Sequence, residues 1–123
     1  MTSTVAELMR RNLLDVFNEA DPDRRAAAIA EVYAEDVVWH EGGELVHGRA
    51  AIAARAAELH AANPDWVFRP GGPVSALDDL GHLAFVFGPA DQSRSMTGMD
   101  IARCADGVIV ELYTFVNPPE QPS

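Results

Sequence analysis

The chain has 123 residues, which is enough for one folded domain with a single core and too few for two. Its 19 acidic residues outnumber 9 basic ones, all of them Arg, and the formal net charge is -10. This charge argues against nucleic acids and anionic membranes as partners, because contacts to phosphate groups need clusters of basic side chains.

The N-terminal half of the sequence predicts three helices. Apolar residues recur at helical spacing over residues 3–20. Pro22 then starts a second helix that runs to about Tyr33, since proline suits the first helical turn. An Ala-rich third helix covers about residues 49–62 and ends before Pro64.

The first predicted helix is not a targeting segment. It carries acidic residues early and has no uninterrupted apolar stretch, which argues against a secretory signal, and no part of the chain approaches transmembrane length. We therefore expect a cytoplasmic protein. The richness in Arg and Ala suggests a bacterial source.

The rest of the chain predicts strands. Residues 37–41 and 44–47 flank the turn at Gly42 and form a hairpin. Turn residues then separate five more β-rich runs: residues 65–69, 74–78, 82–88, 96–104 and 108–116. Helices followed by strands are typical of an α+β fold. We expect a curved antiparallel sheet closed by the three helices into a cone around a pocket, in one domain over residues 1–123 with a flexible tail at 117–123.

Several kinds of site have no support in the sequence. The single cysteine, Cys104, lies in an apolar run and is interpreted as a small buried hydrophobic residue. No His-x-His or His-Glu-x-x-His spacing is present, so we expect no metal. No glycine-rich phosphate loop opens a helix, so we expect no nucleotide cofactor.

Asp100 is the strongest candidate for chemistry. It lies in residues 96–104, which are largely apolar on both faces, and burial there is expected to raise the pKa of its carboxyl toward neutrality. Gly98 and Ala102 share its face of the strand and are small, which would leave room for a ligand. The alternative is a structural Asp that pairs with a nearby Arg or a loop amide.

Three residues at the end of the first predicted strand form a second candidate group. Glu41 and Trp39 share one face of the strand and His40 points to the other. If Trp39 lines the cavity, Glu41 lies at the rim of the same cavity. Glu41 is equally consistent with a solvated hairpin end, and His40 is more consistent with a half-buried surface imidazole. Both are kept as candidate partners of Asp100.

Four segments carry a family resemblance. Residues 32–41 (VYAEDVVWHE), 47–52 (HGRAAI), 98–103 (GMDIAR) and 106–111 (DGVIVE) stand in the order and spacing of the SnoaL-like group, which includes polyketide cyclases. The chain resembles this group, within the nuclear transport factor 2-like superfamily, over nearly its whole length. The resemblance implies an α+β cone that often forms a homodimer through the outer face of its sheet.

The resemblance also implies roles for single residues. In the related ketosteroid isomerases a carboxylate after the first strand shuttles the proton, and Glu41 matches it. A second carboxyl donates a hydrogen bond to the oxyanion, and Asp100 matches that one as well as the Asp on which SnoaL-like cyclases rely. The isomerases' helix-borne Tyr falls near Asn12, which disfavours steroid isomerisation. Gly98 stands where limonene epoxide hydrolases need an Arg, which disfavours epoxide hydrolysis.

These features together predict a cofactor-independent enzyme that binds a hydrophobic small molecule and moves a proton next to a carbonyl, as a cyclase or an isomerase does. Asp100 is the predicted acid or base, with Glu41 or His40 as its counterpart. The alternatives are a non-catalytic ligand-binding or dimeric accessory protein, and a hydrolase or dehydratase. The predicted ligand-binding side chains are Trp39, Asn12, Val16, Phe87, Met96 and Leu112.

Overall fold

The structure is a computed structural model that describes residues 3–91 and 95–117. Its helices are α1 (Val5–Arg11), α2 (Pro22–Val32) and α3 (Arg49–Ala62), and a π-helical segment (Asn12–Phe17) follows α1 directly. Its strands are β1 (Tyr33–Glu41), β2 (Glu44–His47), β3 (Trp66–Pro70), β4 (Ser75–Leu77), β5 (Leu80–Pro89), β6 (Met96–Ala105) and β7 (Val108–Asn117). Apart from Asn117, the predicted flexible tail lies outside the described residues.

The first helix begins with a reciprocal cap. The Thr4 hydroxyl accepts a hydrogen bond from the Glu7 amide at 3.1 Å, and the Glu7 carboxylate accepts one from the Thr4 amide at 3.4 Å. No helix in the described part of the chain is long and apolar enough to cross a membrane.

The predicted single helix over residues 3–20 is divided in the structure. After Arg11 the chain widens into the π-helical segment, which turns Asn12, Leu13, Val16 and Phe17 toward the interior. A π-helix needs more residues per turn than an α-helix, so residues four and five apart lie on one face. This geometry buries Asn12 completely, opposite the sheet.

The second helix ends one residue earlier than predicted. Tyr33 has extended backbone angles and is already the first residue of β1. The Arg49 side chain, at the start of α3, donates hydrogen bonds to the carbonyl oxygens of Ala30 and Tyr33 at 3.0 and 2.6 Å. Carbonyl groups at a helix end need such donors, and Arg49 supplies them from a distant part of the sequence.

The strands form one sheet in the order β2-β1-β7-β6-β5-β3, with β4 paired to β5. The predicted α+β class, with helices packed on a curved sheet, is confirmed. The expectation of a wholly antiparallel sheet is wrong at one place, because β1 and β7 pair in parallel. The chain between them contains α3 and the other strands, which gives the long crossover that a parallel pair requires.

Gly98 on β6 is required by close packing. A Cβ atom at this position would lie 2.2 Å from the carbonyl oxygen of Phe115 and 2.5 Å from Cζ of Phe85. We expect Gly98→Ala to lower the free energy of unfolding by about 1–3 kcal/mol, because the backbone of β7 cannot move aside without losing its register. Urea unfolding measures the effect. The matched control is Gly72→Ala, whose Cβ would meet nothing within 4 Å, and equal effects of the two substitutions would contradict this account.

Candidate active site

The helices and the inner face of the sheet enclose a cavity of about 280 Å³. Most of its wall is apolar: Leu13, Phe17, Leu59, Phe68, Phe85, Phe87, Met96 and Val116. The rest of the wall is formed by Glu41, Gly42, Arg55, Asp100 and Thr114. A few polar groups in an apolar cavity are typical of sites for small molecules.

Strand register explains why three of the polar residues lie together. Glu41 on β1 pairs with Thr114 on β7, and Thr114 pairs with Asp100 on β6. Directly paired residues point to the same face of a sheet. Neighbouring strands are about 4.8 Å apart, so the backbones of Glu41 and Asp100 are separated by roughly 10 Å across the sheet. The cavity floor therefore carries a row of two carboxyl groups with a hydroxyl between them.

The Asp100 carboxyl is buried and bonded to neutral groups. Asn12 Nδ2 donates a hydrogen bond to its Oδ2 at 2.8 Å, and Thr114 Oγ1 donates one to its Oδ1 at 2.7 Å. Only 4% of the residue is exposed. The alternative expected from the sequence was a structural Asp that pairs with an Arg or a loop amide, and neither of these two donors is an Arg or lies in a loop.

The surroundings of Asp100 raise its pKa. Burial is the largest cause, the hydrogen bonds from Thr114 and Asn12 lower the value, and the negative charge of Glu41 raises it. Together they raise the pKa of Asp100 from 3.8 to about 6. The side chain can therefore lose or gain a proton near neutral pH, as an acid/base group must.

A second layer of side chains holds the two donors. Trp39 Nε1 donates a hydrogen bond to Thr114 Oγ1 at 2.9 Å, and the Tyr33 hydroxyl donates one to Asn12 Oδ1. Tyr33 is completely buried, and burial together with the charge of Asp100 raises the pKa of its hydroxyl well above the usual 10. The Tyr33 hydroxyl therefore keeps its proton and remains a donor.

Glu41 lies on the cavity wall, although Trp39 does not, and it is held by Arg55. Arg55 Nε donates to Glu41 Oε1 at 2.9 Å, and Arg55 Nη1 donates to Glu58 Oε2 at 3.2 Å. The side chain of Arg55 is 42% exposed, and Gly42 beside Glu41 is exposed too. This ion pair therefore lies at the mouth of the cavity, and Asp100 lies further inside.

The structure places His40 on the outer face of the sheet, away from the cavity. Its ring stacks on Tyr113 with a centroid distance of 4.2 Å, and Nε2 lies 3.1 Å from Glu111 Oε2. Successive residues of a strand point to opposite faces, so His40 cannot share the cavity with Glu41. Its candidacy as the partner of Asp100 has no geometric support.

The predicted ligand-binding residues divide into three groups. Phe87 and Met96 lie on the cavity wall. Asn12 and Trp39 lie behind it and hold the polar groups of the floor. Val16 and Leu112 are fully buried in the core and are not part of the wall. Ligand contact by any of them stays a prediction.

The small residues next to Asp100 do not provide the space that the sequence suggested. The Phe85 ring lies over Gly98, and Ala102 is completely buried. The cavity opens instead between the helices and the phenylalanine side chains. Phe68 and Phe87 stack there with ring centroids 4.0 Å apart, and Phe17 packs on Phe68 from the π-helical segment.

Sequence reasoning missed Thr114 and Arg55. Thr114 is a polar residue on the apolar face formed by Leu112 and Val116. The sequence does not show that this residue pairs with Asp100, which follows only from the register of β6 and β7. Arg55 shows no local pattern apart from its spacing to Glu58. Within residues 3–91 and 95–117, no group of three or more His, Cys, Asp or Glu side chains could hold a metal ion.

Comparison with protein families gives a match to the SnoaL-like domain over residues 11–112. No curated protein matches the sequence.

Solved structures give many matches to this fold. A candidate isomerase of the SnoaL-like family from Agrobacterium tumefaciens superposes with a TM-score of 0.81 at 18% identity, covering 92% of this chain and 97% of that one. A candidate ketosteroid isomerase from Kribbella flavida gives 0.72 at 20% identity, with coverages of 97% and 82%. A candidate SnoaL-like polyketide cyclase from Jannaschia gives 0.71 at 16% identity, with coverages of 95% and 90%. At these identities the likeness establishes the fold.

Proposed function

The chain belongs to the SnoaL-like domain family, and on that basis we propose that it is a cofactor-independent acid/base enzyme of the cyclase or isomerase type. The observation that carries the proposal is the state of Asp100: a buried carboxyl on the floor of an apolar cavity, bonded to two neutral donors, with its pKa raised to about 6. Perturbed carboxyl groups in clefts are typical of catalytic sites. The names of the solved neighbours, isomerase and polyketide cyclase, agree with this reaction class.

The proposed reaction is proton transfer at a carbon next to a carbonyl. The Asp100 carboxylate takes a proton from that carbon, the electrons of the C–H bond move into the carbonyl, and an enolate forms. The protonated Asp100 then returns the proton. Delivery to a different carbon completes an isomerisation. If the enolate carbon attacks a second carbonyl of the same molecule, delivery to the resulting alkoxide oxygen completes a cyclisation.

The cavity selects the substrate class. A volume of about 280 Å³ lies just below the range of roughly 300–1,000 Å³ that is usual for ligand pockets, which favours a compact substrate. The aromatic wall of Phe17, Phe68 and Phe87 favours flat apolar rings. Arg55 at the mouth can donate to a polar end of the ligand, and we assign Glu41 the role of orienting Arg55.

The proposal is tested with small cyclic ketones and 1,3-dicarbonyl compounds of one to four rings. Each is incubated with the protein in D₂O, and loss of the carbon-bound proton signal is followed by ¹H NMR. We expect binding and exchange above the buffer rate for one- and two-ring compounds. Binding without exchange would favour the non-catalytic ligand-binding alternative, and absence of binding across the panel would contradict the proposal.

We further propose that the protein is a homodimer that pairs through the outer face of the sheet. Leu45 and Phe115 are exposed at one end of the sheet, beside the stacked rings of His40 and Tyr113. Clustered apolar side chains of this kind are usual at protein contacts. We expect a sedimentation mass of twice 13.3 kDa for the wild type and a shift toward 13.3 kDa for Phe115→Glu. A monomeric wild type would contradict this.

Cytoplasmic residence and a bacterial source stay predictions from the sequence.

A further inference from the structure

We infer that Trp39 and Tyr33 are positioning residues that direct the proton of Asp100 into the cavity, acting through Thr114 and Asn12. The inference deepens the proposed function and rests on it for its catalytic meaning. Neither Trp39 nor Tyr33 lies on the cavity wall, and each contacts a side chain that donates to Asp100.

The first relay fixes the direction of the Thr114 hydroxyl. An indole N–H can only donate, so the 2.9 Å contact makes Thr114 Oγ1 its acceptor. The hydroxyl hydrogen must then point away from the indole. Asp100 Oδ1, at 2.7 Å, is the acceptor in its path. Thr114 therefore donates to Asp100, and it could accept from a protonated Asp100 at its second acceptor site only by turning its own hydrogen away from this partner.

The second relay fixes the orientation of the Asn12 amide. An amide could present either its oxygen or its nitrogen to Asp100. The Tyr33 hydroxyl keeps its proton and donates it to Asn12 Oδ1, so Nδ2 faces Asp100 Oδ2 at 2.8 Å. All three side chains are buried, and water cannot easily replace either bond.

The two relays together determine where the acidic proton can go. Each oxygen of Asp100 already receives a hydrogen bond from a donor that can reverse only by giving up a hydrogen bond. When Asp100 is protonated, Thr114 and Asn12 therefore accept from its O–H only at the cost of an existing hydrogen bond, and an acceptor on the cavity side is favoured. A carbonyl oxygen of a ligand in the cavity would accept the hydrogen bond from the Asp100 O–H. Two titratable groups face Asp100: the charge of Glu41 raises the pKa of Asp100, and the charge of Asp100 raises the pKa of Tyr33.

The test measures Asp100 itself and needs no substrate. Protein labelled with ¹³C-Asp is titrated from pH 4 to 9, and the carboxyl bands are followed by infrared difference spectroscopy, with Asp100→Asn identifying the Asp100 band. In Trp39→Phe the Thr114 hydroxyl is released from the indole and turns more easily to accept, and in Tyr33→Phe the Asn12 amide flips more easily. Either change stabilises protonated Asp100, so we expect each variant to raise its pKa by about 1.

Matched controls separate positioning from packing. Tyr113→Phe removes a hydroxyl from the outer face, and Trp66→Phe removes an indole that packs on Phe87. Both should leave the pKa of Asp100 unchanged. If the two core variants also leave it unchanged, Trp39 and Tyr33 are only structural and the inference is overturned.

A second pair of variants guards against misfolding of the core variants. Thr114→Val keeps the shape of the side chain and removes its donor, so it should raise the pKa of Asp100, and Thr114→Ser should restore the wild-type value. A Thr114→Ser value equal to that of Thr114→Val would overturn the first relay. These results do not depend on turnover. If the wild type shows no exchange of ketone protons, the proposed function is wrong, but the infrared measurement of the Asp100 pKa still tests the roles of Trp39 and Tyr33.

Discussion

Replacing Asp100 by Asn is expected to lower the rate of proton exchange at carbon by about 10²- to 10⁴-fold, the usual contribution of a general acid or base. Asn has nearly the shape of Asp and cannot take up the proton. Its amide can still accept from Asn12 and donate to Thr114, whose hydroxyl oxygen has a second acceptor site. The folded structure and ligand affinity should therefore persist, and the exchange rate measured by ¹H NMR should fall because the proton carrier is lost.

Two comparisons make this result decisive. Asp65→Asn changes an exposed carboxyl outside the cavity wall and should leave exchange at the wild-type rate. Glu41→Gln removes the charge that holds Arg55 Nε and should weaken binding more than it lowers the maximal rate. If Glu41→Gln abolishes exchange while Asp100→Asn retains it, Glu41 is the proton carrier, as the isomerase pattern implied, and the assignment of that role to Asp100 is wrong.

The elements of the fold were predictable where short-range chemistry decides them. The turns at Gly42-Gly43 and at Asp106-Gly107 have positive φ at all four residues, a conformation that Gly adopts freely and Asp tolerates. Such turns fix the ends of the strands on either side. The predicted strand limits agree with the structure to within two residues, except that β1 begins at Tyr33 and not at residue 37.

The departures from prediction arise from contacts between distant parts of the chain. Helix α2 ends at Val32, where Arg49 from the start of α3 donates to the carbonyl oxygens of Ala30 and Tyr33. The parallel pairing of β1 with β7 also leaves no trace in a pattern of alternating residues. The π-helical segment leaves no trace either, because the apolar residues at positions 8, 9, 13, 16 and 17 also fit the spacing of an α-helix.

The candidate site shows the same contrast between features set by neighbouring residues and features set by distant parts of the chain. Asp100 was recognisable because an acidic residue within an apolar strand needs a partner or a function. Its donors were not recognisable, because Asn12 lies 88 residues away in sequence and Thr114 lies 14 away across a strand pair. The strand alternation also predicted correctly that Glu41 and His40 face opposite sides. Which side faces the cavity depends on the packing of the helices.

The raised pKa of Asp100 has a consequence for stability that can be measured without any ligand. Its pKa is about 6 in the folded protein, whereas an unperturbed Asp, as in the unfolded chain, has a pKa of 3.8. Between these values the folded state binds more protons than the unfolded state, so the free energy of unfolding falls as the pH rises. At 1.36 kcal/mol for each pKa unit, the contribution of Asp100 is a loss of about 3 kcal/mol, complete a little above pH 6.

The difference between wild type and Asp100→Asn isolates this contribution from the other acidic residues, whose titration is common to both proteins. Urea unfolding at a series of pH values should show that Asp100→Asn becomes more stable relative to the wild type by about 2 kcal/mol between pH 4 and pH 7, the rest of the change falling below pH 4. A carboxyl held by favourable charges would give the opposite slope, because its folded pKa would lie below the unfolded one. A constant difference over this range would mean that burial does not raise the pKa of Asp100, and the group would then be ionised throughout the neutral range. The stability profile and the exchange rate therefore test the same property, the ease with which this buried carboxyl takes up a proton.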